Sequence, residues 1–86
     1  MELKTKKVIV DNKEYTLQKL PVREAFKLRD SWIENGNVNQ EKMYDKLLEH
    51  IVVVPKVKLD DFEDLETVEA LGIECINFVY GKNIKN

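Results

Sequence analysis

A lone cysteine, Cys75, gives the chain no intrachain disulfide, so packing and hydrogen bonding must hold the fold. The thiol is read as a small buried hydrophobe in a reducing compartment. Histidine is equally scarce. His50 stands alone, with no histidine or cysteine cluster around it in the sequence, and a metal centre needs several such ligands. The three glycines form no phosphate-cradling loop or nucleophile elbow, and no Ser/His/Asp set is present. Asp60, Asp61, Glu63 and Asp64 are dense in carboxylate but lack the alternating oxygens and central glycine of a calcium loop. These absences exclude the familiar catalytic designs, so no enzyme, metal or cofactor is expected.

Two further things are missing. No apolar run approaches the length of a membrane span or a signal peptide, so a soluble cytosolic protein without a membrane partner is expected. Charge of one sign is not in excess either, with 14 Lys and Arg against 16 Asp and Glu and a net charge of −2. Lys4, Lys6, Lys7 and Lys13 are the sole basic cluster, too little for a phosphate-backbone footprint. No nucleic-acid partner is expected. At 86 residues the chain has room for one core and one small domain.

What is present is periodicity. The residues from Thr5 to Val10 and from Glu14 to Gln18 favour extended backbone, and Asp11, Asn12 and Lys13 between them suit a turn, predicting a hairpin over about residues 4–18. A two-stranded hairpin is marginal alone and leaves an edge open to another copy. Pro21 suits the first turn of a helix, and Asn35-Gly36 reads as its stop, giving a first helix over about 21–35. Its apolar stripe holds Val22, Ala25, Phe26, Leu28, Trp32 and Ile33, with Arg29 inside the stripe. Asn39 can cap a second helix, 39–51, where Met43, Leu47 and Ile51 form one row and Tyr44, Leu48 and Val52 the next. Pro55 requires that helix to end before it, and Ile51 to Val54 suits a strand equally well by propensity.

The longest consistent pattern predicts a third helix over about 60–80, capped by Asp60 with Glu63 and stopped at Gly81. Phe62, Leu65, Val68, Gly72, Ile73, Cys75, Ile76, Val79 and Tyr80 share one face. Glu69 breaks that face with a charge and Gly72 with the lack of a side chain. Opposite charges inside two apolar arcs are expected to find each other, so Arg29 and Glu69 are assigned as an ion pair between the first and third helices. Each charge can otherwise snorkel to water. Gly72 is expected to admit a ring, either Trp32 or Phe26. Leu71 and Phe78 flank Cys75 and widen the apolar surface. Either other parts of the chain cover this seam or Leu71, Cys75 and Phe78, together with Val8 and Val10 of the hairpin, form a surface for a partner or a second copy. The fold class is therefore α+β, an N-terminal hairpin followed by three helices in a single domain.

One resemblance reaches further. The hairpin residues Glu14, Tyr15, Thr16 and Leu17, then Leu20, Pro21, Glu24, Ala25, Lys27, Leu28 and Trp32, resemble the start of the tail assembly chaperones of tailed phages and prophages of Gram-positive bacteria. Leu48, His50, Val52, Pro55, Asp61, Phe62, Phe78 and Gly81 continue the likeness. It implies a protein of the bacterial host cytoplasm that self-associates, binds the tape measure protein during tail assembly and is absent from the mature virion. It also implies a longer form made by ribosomal frameshifting, for which the finish at residues 82–86 suits a short form. The competing readings are a small nucleic-acid-binding regulator, resting on the four lysines, and a structural tail or head-completion subunit.

Overall fold

In a computed structural model that describes residues 4–81, the chain opens with strands β1 (Thr5–Val10) and β2 (Lys13–Gln18) paired antiparallel from Thr5↔Gln18 to Val10↔Lys13. Asp11 and Asn12 turn the corner with φ of 53° and 64°. Two successive positive φ values make a type I′ turn, whose twist matches that of the strands, and Asn and Asp tolerate it. Val8, Val10, Tyr15 and Leu17 face inward and are buried. Lys7, Ile9 and Glu14 face outward, as a period of two requires.

Helix α1 (Val22–Ser31) follows Pro21 and stops four residues short of the predicted end. The reason is a second small hairpin, β3 (Ile33–Glu34) with β4 (Asn37–Val38), turned by Asn35 and Gly36 at φ of 53° and 81°. The pair read as a helix stop is a type I′ turn, and Ile33 belongs to a strand. The Asn39 amide closes the hairpin by donating to the Trp32 carbonyl at 2.8 Å. Asn39 also caps α2 (Gln40–His50), accepting the Lys42 amide at 3.0 Å, as its residue type leads one to expect.

After α2, residues Val52–Val54 form a strand, β5, which pairs antiparallel with β2 through Thr16↔Val54 and Leu17↔Val52. The sheet has three strands in the order β1-β2-β5. Its seam is extended by the Gln18 amide, which donates to the Ile51 carbonyl at 2.8 Å, while the Gln18 side chain donates to the His50 carbonyl at 3.0 Å. The Val54–Pro55 bond is cis. A turn of 3-10 helix at Leu59–Asp61 then leads to α3 (Leu65–Tyr80). Asp60 and Glu63 do not cap α3, which begins five residues after Asp60. Asp61, in the turn, accepts the Lys58 amide at 2.9 Å, and Asp64 is the residue that precedes α3, accepting the Thr67 hydroxyl at 3.0 Å.

The result is one α+β domain, an N-terminal hairpin followed by three helices. Helix α3 lies against both β1 and β2 on one side and α2 on another. The fully buried side chains are Leu17, Leu47, Ile51, Leu71, Val52 and Cys75, drawn from the sheet, α2 and α3 alike. Fully burying aliphatic side chains of this size is worth about 1.5–3 kcal/mol each, and the buried apolar cluster is the main source of stability. No buried side-chain polar atom among the described residues lacks a hydrogen-bond partner.

Candidate functional site

Of the two alternatives for the seam, cover by the rest of the chain or a partner surface, the structure shows cover for most of it. Leu71 and Cys75 are 0% exposed, and Val8 and Val10 are buried with them. An apolar arc wider than one face is explained by α3 being covered from two directions, by the sheet and by α2. Phe78 alone keeps partial exposure, with the Lys19 ammonium 5.5 Å from its ring centroid. Burial pushes the Cys75 thiol up to about 12, with Glu74 adding to the shift, so it is protonated and unreactive near neutrality.

Arg29 and Glu69 form no ion pair, and the two helices do not meet where the projection placed them. The Arg29 guanidinium sits between two rings instead, 5.1 Å from the Phe26 centroid and 5.3 Å from that of Tyr80. Cation–π attraction of this kind is worth about 0.5–1 kcal/mol at exposed sites. Glu69 lies beside Tyr44 on the α2 side, where burial first and Glu69 second raise the phenol above its ordinary range. Tyr80 links α3 to α1 near its own end, donating its hydroxyl to the Ala25 carbonyl at 2.8 Å and meeting Trp32 edge-on at 6.1 Å. Burial raises its phenol while Arg29 opposes the shift.

Gly72 does admit a ring, but it is neither Trp32 nor Phe26. A Cβ at this position would stand 2.4 Å from Tyr44 Cε1, so the Tyr44 ring packs directly on the backbone of α3. Trp32 is buried in the core and Phe26 is 53% exposed.

Three other surfaces are open to solvent and carry apolar side chains. The first is a groove of about 230 Å³ where α1 meets the end of α3, lined by Leu20, Val22, Phe26, Arg29, Val79 and Tyr80 among others. Val22 is 73% exposed. Sequence reasoning placed Val22 and Phe26 on a core-facing stripe, and what it missed is that α1 covers the core through Ala25 and Leu28 only. The second is a groove of about 420 Å³ between α2 and the segment entering α3. The edge of β1, unpaired among the described residues, is a third candidate, carrying Ile9 at 71% exposure on its outer face.

Among the described residues no cluster of His, Cys, Asp and Glu side chains is placed to hold a metal ion, and no helix is long and apolar enough to cross a membrane. His50 closes α2 with its Nε2 3.6 Å from Glu49 Oε1. Residues 82–86, read as the finish of a short form, lie outside the described residues. Compared with known protein families, curated proteins and solved structures, the chain matches none.

Proposed function

We propose that the chain is a non-enzymatic tail assembly chaperone of a tailed phage or prophage, which binds the tape measure protein and self-associates while the tail is built. The resemblance in the sequence names the partner, and the observation that carries the reading is the apolar groove along α1. Val22 and Phe26 stand open to solvent beside Val79 and Tyr80, on a chain in which 35% of residues are charged. An apolar surface on so polar a domain suits transient cover for the apolar face of a long helical partner. Self-association is assigned to the edge of β1, unpaired among the described residues, which offers backbone donors and acceptors to a second copy. The reading extends to a frameshifted longer form, to action in the bacterial host cytoplasm and to absence from the mature virion.

Co-expression with a tape measure protein tests it. The soluble yield of that partner should rise with the native chain and fall back with Val22→Asp/Phe26→Asp, whose exposed positions leave folding intact. An unchanged yield, or a complex held only at low salt, removes the physical basis of the proposal. Particle mass spectrometry separates a chaperone, missing from virions, from a retained structural subunit.

A further inference from the structure

The groove between α2 and the start of α3 differs in chemistry from the α1 surface. Its apolar lining is formed by the part-buried Tyr44, Leu59 and Phe62 and the buried Val68, with Leu65, 68% exposed on the first turn of α3, beside them. Tyr44 cannot sink further, because its ring already rests on the glycine gap at Gly72. Its rim carries Glu41, Glu63, Asp64 and Glu69, and no lysine or arginine lines it. None of these four carboxylates comes within 4.0 Å of a cationic nitrogen among the described residues. Nor do they converge as a metal site would. The rim repels a phosphate backbone or an anionic bilayer, and it attracts a cationic polypeptide.

The elements beside the groove narrow the occupant further. Both walls are helical or lead into a helix, so no free strand edge is present there to pair with an extended peptide. An incoming segment must satisfy its own backbone hydrogen bonds, and a helix does so. We propose that this groove receives an amphipathic helix of another protein, apolar on the face that meets Tyr44, Phe62 and Leu65 and bearing Lys or Arg along its flanks. The inference stands apart from the tape measure reading, which concerns α1.

A synthetic helical peptide with leucines at i, i+3, i+4 and i+7 and lysines on both flanks is the probe, titrated into the full-length, isotope-labelled chain and followed by backbone amide shifts. Saturable binding is expected, with the shifts centred on Tyr44, Phe62 and Leu65. A counterpart with glutamate in place of lysine should bind at least about tenfold more weakly, since like charges across the rim oppose it. Glu41→Gln/Glu69→Gln should weaken the lysine peptide about fivefold, and Leu65→Ser, at an exposed position, should weaken it without altering the spectrum elsewhere. A scrambled peptide of equal charge that binds as tightly would show an unspecific acidic surface and overturn the proposal. So would shifts that map to α1, or groove shifts that change with protein concentration alone, which would give the groove to a second copy.

Discussion

Gly72→Ala probes how α3 is seated on α2, because two opposing effects of known size meet there. Alanine is better than glycine in a helix interior by about 1 kcal/mol. The added Cβ, however, would lie 2.4 Å from Tyr44 Cε1 and 2.8 Å from Cδ1. Carbon atoms rest at about 3.5–4.0 Å, so the ring must retreat by roughly 1 Å toward the acidic groove, or α3 must lift by as much. Overpacking of this kind costs about 1–3 kcal/mol. The net expectation is destabilisation by about 1 kcal/mol, lowering the Tm by about 4–8 °C for a domain of this size. With the ring removed in a Tyr44→Ala background, the same substitution should become stabilising by about 1 kcal/mol. Urea unfolding of the four proteins, followed by circular dichroism, reads both signs. A Gly72→Ala variant that is more stable than the native chain refutes the packing of Tyr44 on this glycine.

Arg29→Ala and Glu69→Ala should be additive within about 0.3–0.5 kcal/mol in a double-mutant cycle, since the two residues face different neighbours, whereas Arg29→Ala and Phe26→Leu should couple. Stability should fall as pH rises from about 9 to about 12, because the unfolded Cys75 thiol ionises near 9.0 while the folded one holds its proton to about 12; Cys75→Ala should lose that component of the alkaline unfolding curve. Gly36→Ala should cost about 1 kcal/mol by forcing a side chain into positive φ, with no clash to add, and amide exchange should report the loss first in the β3–β4 hairpin.

Local chemistry was legible wherever a single residue type forces a conformation. The Asp11-Asn12 turn, the Asn39 cap and the break at Pro55 all followed from the sequence, and with them the α+β class. Asn35-Gly36 shows how such a signal divides. The same dipeptide ends a helix or turns a hairpin, and two-residue strands are too short to show a period that would decide between them. The helical projections put Arg29 and Glu69 inside apolar arcs, yet Arg29 stands exposed beside Phe26 and Tyr80 while Glu69 lies beside Tyr44. A projection carries no information on which helix stands opposite, and α2, not α1, lies against the middle of α3. The breadth of the apolar arc at Leu71, Cys75 and Phe78 was visible for the same reason, yet width alone cannot separate a partner from a second layer of the same fold. For the candidate site, exposure at Val22, Phe26 and Leu65 depends on which faces of α1 and α3 the rest of the fold covers, a tertiary fact that no local pattern records.

The position of β5 in the sheet has a consequence for the order in which the chain can be made. Strand β2 is flanked by β1, which precedes it, and by β5, which the ribosome delivers only after α1, the small hairpin and α2. Translation of the intervening residues takes on the order of seconds at about 5–20 residues per second. During that interval the nascent hairpin holds Val8, Val10, Tyr15 and Leu17 without the strand and helix that bury them, and two strands alone are marginal in water. Closure of the sheet then joins Leu17 to Val52 across most of the chain synthesised so far, and the core waits longer still for Leu71 and Cys75. Nascent chains arrested before Val52 should therefore remain protease-sensitive throughout, and protection should arrive in a single late step once α3 has cleared the exit tunnel.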